Sequence, residues 1–143
     1  MFVVATSSKP WDVNAVLLSG VFADAHARQL CALPTAVERA RFLESCADLS
    51  HSGADLRALA ADERTKDYSY ADLQRLCANA RVAAARTLLK SMGSDKLRAA
   101  AGGVCEIDLS EPTITAADVA RALQTTQPTV SSDEHLRYTQ WKP

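Results

Sequence analysis

The sequence lacks the short motifs that mark common nucleotide, metal and hydrolase sites. It contains no GxxxxGK[ST] phosphate loop, no HExxH zinc motif and no GxSxG nucleophile turn. Its three histidines (His26, His51 and His135) stand apart in the sequence, which is typical of loop or surface histidines rather than catalysts. On motifs alone, the chain is not predicted to be a self-sufficient enzyme.

An excess of charge of one sign is also missing. The formal net charge is −1, so the chain has no overall positive field of the kind that attracts nucleic acid. Arg75, Arg81 and Arg86 belong to one predicted helix, but their spacing does not align them on one face. We therefore expect no nucleic-acid partner.

The cysteines form no CxxC pair, and their wide spacing indicates reduced, buried intracellular thiols rather than a disulfide framework or a zinc site. They are Cys31, Cys46, Cys77 and Cys105. No metal is expected. Residues 1–18 are not typical of a signal peptide, because polar residues and a proline interrupt them at positions 9–12. No apolar run approaches the roughly 20 residues that cross a bilayer, so no membrane insertion is expected.

What the chain does contain is one long amphipathic helix, predicted over residues 67–89. Ser69 stands at its N-cap position with Asp72 three residues later, which is the spacing of a capping box. Tyr68 and Leu73 are placed as a hydrophobic staple across that start. One face repeats at helical spacing through Leu73, Leu76, Cys77, Ala80, Ala84, Thr87 and Leu88. We expect the other helices to pack around this one.

Shorter helices are predicted on both sides of it. Thr35 begins one that ends near Cys46, with Glu38 at the capping-box position. The turns of that helix are marked by Val37, Ala40, Arg41 and Leu43. Thr115 with Asp118 begins another, which ends near residue 125. Further short helices are predicted over 54–63, 94–101 and 131–141, a break over 49–53, and a strand or a loop over 104–109.

Residues 1–6 (MFVVAT) form a continuous apolar run rich in β-branched residues. Such a run is typical of a strand buried in a parallel sheet, yet no other segment is predicted to complete that sheet. The fold is therefore predicted to be mainly α, with one strand that belongs to a larger α/β domain. In the chain alone, this strand is expected to be poorly ordered or paired with another chain.

Four stretches, in order, resemble the C-terminal part of AAA+ ATPases. VVATSSKPWDVNAVLL is similar to the sensor-1 strand and its following loop, where the family has ATN-x-PWD. LPTAVERARFL and ADLRALAADERTKDYSYADLQRLCANA are similar to the opening and the core of the small lid domain, whose pattern includes GYSGADL-x-x-LC. ITAADVARALQTTQPTVSSDEHLRYTQW resembles the C-terminal end of the meiotic clade, which comprises katanin, spastin, fidgetin and the vacuolar-sorting ATPase.

The katanin-like branch is favoured within that clade. LLKSMGSDKLRAA is similar to the linker of katanin, and the short segment between Leu89 and Thr115 leaves no room for the β-domain that the vacuolar-sorting ATPase inserts there. A vacuolar-sorting type remains an alternative. The resemblance implies that residues 1–33 are a remnant of the large AAA+ subdomain, and that residues 34–143 are the helical lid domain with a C-terminal helix.

The resemblance also implies site residues. Ser8 (or Ser7, depending on a one-residue insertion) occupies the sensor-1 position, where the family has asparagine. Tyr68, Ser69, Tyr70 and Ala71 would line the adenine side of the nucleotide pocket, although a capped helix start explains these residues without any nucleotide. ATP with Mg is implied only in the context of an intact AAA+ domain, and no cofactor for this chain alone.

The implied partners are other AAA+ subunits in a hexameric ring, with tubulin or microtubules as the substrate and a cytoplasmic, cytoskeleton-associated location. The sequence departs from the family in lacking the Walker regions and in having no arginine between Pro10 and Ala27, where the arginine fingers would stand. Tyr70 also replaces a glycine that lets adenine approach.

Two functions therefore stay open. One is the C-terminal part of a katanin-like AAA+ ATPase, inactive on its own, whose intact form would couple ATP hydrolysis to microtubule severing or protein remodelling. The other is a non-catalytic helical adaptor or pseudo-ATPase interaction module.

Overall fold

The computed structural model of the chain describes residues 4–20, 22–24, 28–92 and 113–141. These ranges contain helices and no strand, so the mainly α fold class is confirmed. The helices are α1 (Ala15–Ser19), α2 (Ala36–Ser45), α3 (Ala47–Ser50), α4 (Leu56–Ala61), α5 (Tyr70–Ser91), α6 (Ala116–Thr125) and α7 (Ser132–Gln140), with 3₁₀ turns at Pro10–Asp12 and Glu63–Thr65.

The strand predicted over residues 1–6 is not present in its described part, residues 4–6. These residues have no regular secondary structure, and Val4 is 73% exposed. A strand needs a neighbouring strand to satisfy its backbone groups, and none occurs in the ranges given above. Residues 1–3 lie outside the described residues.

The chain divides into two compact units. One is Leu33–Val130, and the other combines Met1–Ala32 with Ser131–Pro143. The predicted domain ranges 1–33 and 34–143 stay a prediction. In the structure, α7 belongs to the same compact unit as the N-terminal segment. We call the first unit the lid unit and the second the terminal unit.

The lid unit is organised around α5, as predicted. Its capping box is confirmed: Ser69 Oγ accepts a hydrogen bond from the Asp72 amide at 3.2 Å, and the Asp72 carboxylate accepts from the Ser69 amide at 3.0 Å. The buried face of α5 runs through Leu73, Leu76, Cys77, Ala80 and Ala84. Small side chains on this face allow close approach, and α5 contacts α2, α3 and α6.

The capping box at the start of α2 is also confirmed. Glu38 accepts a hydrogen bond from the Thr35 amide at 2.8 Å, and Thr35 Oγ1 accepts one from the Glu38 amide at 3.4 Å. The buried residues of α2 are Arg39 and Leu43, whereas Val37, predicted to mark one of its turns, is 62% exposed. The helix thus turns an arginine toward α4.

α6 packs against α5 through buried residues that include Val119, Ala122 and Leu123. Its start carries the predicted capping box, in which Asp118 accepts hydrogen bonds from the Thr115 amide and hydroxyl at 3.1 and 2.6 Å. Ile114 and Val119, which flank this cap at the spacing of a hydrophobic staple, are 5% and 3% exposed. This helix closes the core on the side of α5 opposite its exposed residues.

The terminal unit contains α1 and α7. α7 begins at the predicted cap, where Ser131 Oγ accepts from the Glu134 amide at 3.2 Å. The ring of Tyr138 lies 5.0 Å from that of Trp11, and the Arg137 guanidinium lies 5.3 Å from the centre of the Trp11 ring. The ring neighbour of Tyr138 is therefore an aromatic residue of the N-terminal segment.

One local prediction was wrong at its boundary. The break predicted over 49–53 overlaps α3, because Cys46 accepts backbone hydrogen bonds from Leu49 at 3.0 Å and Ser50 at 3.2 Å and so closes one more helical turn. The elements predicted over 94–101 and 104–109, and Cys105 with them, lie outside the described residues.

Candidate functional site

An open groove of about 470 Å³ lies beside the first half of α5. Its wall is formed by side chains from the end of α2 and from the exposed side of α5: Phe42, Cys46, Tyr70, Ala71, Gln74, Cys77, Ala78 and Arg81. Of the four residues implied in adenine binding, Tyr70 and Ala71 line this groove. The wall is mainly aromatic and aliphatic, with one amide and one guanidinium, and contains no carboxylate.

Tyr70 shapes the mouth of the groove. It is the first residue of α5, and it is 47% exposed. Its ring packs against Phe42 with 5.5 Å between ring centres and a tilt of 59°. Such a tilted pair leaves part of each aromatic face open to a planar ligand.

Tyr68 and Ser69 have structural positions instead. Tyr68 is 1% exposed, and its hydroxyl donates a 2.5 Å hydrogen bond to the backbone carbonyl of Thr126. Burial raises the pKa of the Tyr68 phenol, which keeps it a neutral donor. Ser69 holds the N-cap of α5. Both residues hold the start of α5, from which Tyr70 and Ala71 line the groove. Tyr68 also holds the segment after α6.

Asp72 is the centre of this support, and its side chain is fully buried. Its carboxylate accepts hydrogen bonds from the Ser69 amide and hydroxyl, at 3.0 and 2.8 Å, and from the Arg75 guanidinium at 2.6 Å. It also accepts from the amide of Thr129 at 3.2 Å and from the Thr129 hydroxyl. The carboxylate thus joins the start of α5 to a segment far away in sequence.

The ionised form of Asp72 is favoured in the folded chain. Burial pushes the pKa of its carboxyl upward, but the hydrogen bonds from Thr129 and Ser69 together outweigh it and lower the pKa. Asp118 at the start of α6 follows the same pattern, with burial opposed by hydrogen bonds from Thr115. Two buried carboxylates therefore stay charged beneath the helical surface.

Arg39 is a second buried polar centre, and sequence reasoning did not single it out. It is 6% exposed and donates to the carbonyl of Ala60 through Nε and Nη2 at 3.0 and 2.7 Å. Nη1 donates to the carbonyls of Pro34 and Lys66 at 2.9 and 3.3 Å. Four positions before the buried Leu43, it stands on the core-facing side of α2, and that spacing was the available signal.

Ser8 lies in the terminal unit and is exposed. Its backbone carbonyl accepts a hydrogen bond from the hydroxyl of Tyr138. Its proposed sensor-1 role stays a prediction, since that role requires a nucleotide held by other parts of an AAA+ domain.

Metal-ligand clusters and membrane-spanning helices are both missing from the described residues. No group of three or more histidine, cysteine, aspartate or glutamate side chains there is arranged to hold a metal ion. None of the helices given above is both long and apolar enough to cross a bilayer.

Comparisons with known proteins agree with this architecture. Residues 102–143 match the family described as the Vps4 C terminal oligomerisation domain, and this match includes α6 and α7. The A-like 1 forms of the katanin p60 ATPase-containing subunit from Rattus norvegicus and Mus musculus are each 26% identical over 141 residues. The aligned region covers 99% of this chain and 27% of each relative, so the chain spans about a quarter of their length.

The two comparisons and the helical fold give a consistent assignment. The family match covers residues 102–143 and is to a C-terminal domain, and the relatives, named as katanin p60 ATPase-containing subunits, are similar to nearly the whole chain. Together, these similarities support an assignment to the C-terminal part of a katanin/Vps4-type AAA+ ATPase.

Proposed function

We propose that this chain serves as the subunit-joining and nucleotide-covering part of a katanin-like AAA+ ATPase. Within that machine, the intact protein would couple ATP hydrolysis to microtubule severing or to the remodelling of another protein. The observation that supports this most directly is the match of residues 102–143 to a domain described as an oligomerisation domain. The partners are accordingly other AAA+ subunits.

The exposed side of α7 offers a surface for such assembly. Leu136 is 57% exposed on a helix whose other residues are mostly polar, and Arg137 beside it is also exposed. An arginine next to an apolar side chain suits an interface between subunits, because arginine is enriched among the residues that carry most of the binding energy. Val37 on α2, 62% exposed, lies outside the matched residues and serves as the control.

Mixing the chain with the purified Mus musculus relative, the A-like 1 form of the katanin p60 ATPase-containing subunit, tests this assembly. We expect the two to elute together in size-exclusion chromatography with light scattering. The variant Leu136→Glu should weaken co-elution at least about tenfold, because a buried charge opposes association, whereas Val37→Glu should leave it unchanged. Absence of co-elution, or equal effects of the two variants, would contradict the proposal.

The groove beside α5 supplies the nucleotide-covering part of the proposal. Aromatic faces at Tyr70 and Phe42, with the Gln74 amide beside them, suit a planar base that forms a few hydrogen bonds. The groove has no carboxylate for magnesium and the chain has no phosphate loop, so the residues present fit the adenine alone. ATP and Mg would be held by the large AAA+ domain, which would also supply the hydrolytic chemistry.

A second function is favoured by Tyr70 itself. Its ring occupies the side of the groove at a position where the resemblance places glycine, and Ser8 replaces the sensor-1 asparagine. In that case the chain is an interaction module that joins AAA+ subunits and contacts no nucleotide. The two functions share the assembly surface and differ only at the groove.

Photolabelling with 8-azido-ATP in the mixed assembly separates the two. If the groove covers adenine, the chain becomes labelled, and Tyr70→Ala decreases labelling several-fold because the base loses one of its two aromatic contacts. Val82→Ala is the matched control, because Val82 is 46% exposed on α5 and does not line the groove. Assembly without labelling, in both the unmodified chain and Tyr70→Ala, would assign the chain to the interaction module.

The substrate and location follow from the same proposal. Tubulin is the proposed substrate, with a cytoplasmic location on the cytoskeleton. We expect the mixed assembly to sediment with microtubules in the presence of ATP. An assembly that forms but stays in the supernatant at all microtubule concentrations would restrict the proposal to the remodelling of another protein.

A further inference from the structure

Two thiols meet at the base of the groove. The sulfur of Cys77, in the middle of α5, donates a hydrogen bond to the sulfur of Cys46 at 3.5 Å. Cys77 is buried, whereas Cys46 is half-buried, and both line the groove. Residues 31 positions apart have thus been brought into sulfur contact by the packing of α2 and α3 on α5.

The backbone at both positions is held. Cys46 ends α2 and begins α3, with its amide donating to Leu43 at 3.2 Å and its carbonyl accepting from Leu49 at 3.0 Å. Cys77 stands within the 22 residues of α5. A disulfide bond is about 2.05 Å long, so closing the pair needs the two sulfurs to approach each other by about 1.5 Å.

We propose that Cys46 and Cys77 form a redox modification site, which takes a low-molecular-weight disulfide such as oxidised glutathione as its oxidant. Cys46 lies nearer the surface and reacts first, in its thiolate form. It attacks one glutathione sulfur, forms a mixed disulfide and releases one glutathione thiolate. The buried partner thiol then completes the reaction.

In the second step, the Cys77 sulfur gives up its proton to solvent and attacks the sulfur of Cys46. The bond between Cys46 and glutathione breaks, and a second glutathione thiolate leaves and takes up a proton. The sum is two cysteine thiols and one oxidised glutathione giving one protein disulfide and two reduced glutathiones. The product links the junction of α2 and α3 to α5 across one wall of the groove.

The experiment uses the full chain with Cys31→Ser and Cys105→Ser, which leaves only the proposed pair. Cys31 is exposed and would otherwise take glutathione independently. After incubation with oxidised glutathione, we expect peptide mapping to find a disulfide between Cys46 and Cys77, with the loss of two hydrogens from the intact mass. The midpoint of thermal unfolding should rise by on the order of 10 °C and return on reduction.

Two further measurements separate a built site from random oxidation. Cys77→Ala should stop the reaction at the mixed disulfide on Cys46. In the two-thiol chain, the second step should run at least about tenfold faster in buffer than in denaturing urea, because folding holds the sulfurs together. A second step no faster in the folded chain, or glutathione retained on Cys46 while Cys77 stays reduced, would overturn the proposal. Neither result depends on assembly or on nucleotide.

Discussion

Replacement of Asp72 by asparagine is the sharpest test of how the start of α5 is built. The substitution keeps the shape of the side chain and removes its charge and one acceptor oxygen. In the native chain, one carboxylate oxygen accepts from both donors of Ser69 and from the Thr129 amide. The other accepts from Arg75 and from the Thr129 hydroxyl. Asparagine can present its carbonyl oxygen to only one of these two groups.

In the orientation of lower energy, the carbonyl oxygen of the asparagine accepts from the three donors of Ser69 and Thr129. The new amide group then faces the guanidinium of Arg75, which is half-exposed and can turn toward solvent. Loss of a hydrogen bond to a charged partner in a buried site costs about 1.5–3 kcal/mol. We therefore expect Asp72→Asn to lower the free energy of unfolding by about 2 kcal/mol, which corresponds to a fall of about 8 °C in the unfolding midpoint.

Urea unfolding followed by far-ultraviolet circular dichroism measures this change. Glu38→Gln is the matched control, because Glu38 holds the same capping-box position in α2 but is exposed, and its effect should be a small fraction of that of Asp72→Asn. A double-mutant cycle with Thr129→Val should give a coupling energy of about 1 kcal/mol. Equal effects of the two substitutions, or a coupling energy near zero, would refute the view that Asp72 joins two distant segments.

Three further predictions concern the same core. Arg39→Met should lower the free energy of unfolding by about 3 kcal/mol, because it leaves carbonyls of three segments without their donor, and Arg39→Lys should recover part of this in urea titrations. Tyr68→Phe should cost about 1.5 kcal/mol through the lost hydrogen bond to Thr126, measured in the same way. The folded chain lowers the carboxyl pKa of Asp72 and Asp118, so between those pKa values and the unfolded value of about 3.9 the unfolded chain binds more protons. The stability that these two carboxylates contribute should therefore be fully present above about pH 4 and be lost as the pH falls below that value. The loss should be shallower in Asp72→Asn. An unchanged dependence of stability on pH in that variant would contradict a lowered pKa for Asp72.

The helix starts could be predicted from the sequence because their chemistry is local. A capping box joins residues three positions apart, so Thr35 with Glu38 and Ser69 with Asp72 are legible in a single chain. The long apolar repeat of α5 is local in the same sense, and its buried face was identified correctly up to Ala84. Beyond that point Thr87 is exposed, although its hydroxyl still contacts Asp118 and Arg121 of α6, because helical spacing shows which residues share a face and not how deeply each is buried.

The polar contacts between segments could not be predicted in this way. The partners of Asp72 and Tyr68 lie 57 and 58 positions away, and those of Arg39 up to 27 positions away. Periodicity indicates that a position is buried, but it does not indicate which distant carbonyl or hydroxyl will meet it. The meeting of Cys46 with Cys77 was hidden for the same reason, since spacing alone indicated separate reduced thiols.

The hydrogen bonds at the start of α5 also indicate which residues can contact a ligand in the groove. The start of α5 is held by hydrogen bonds of Tyr68, Ser69 and Asp72. All of these bonds are to other parts of the chain, so they require no ligand. Tyr70 and Ala71 face the groove, and Tyr70 lacks a comparable structural duty beyond its contact with Phe42. A substitution at Tyr68, Ser69 or Asp72 would therefore affect nucleotide contact only by destabilising the start of α5. A substitution at Tyr70 would change the nucleotide contact itself. Labelling that responds to Tyr70→Ala while the unfolding midpoint stays constant would therefore report on the ligand rather than on the scaffold.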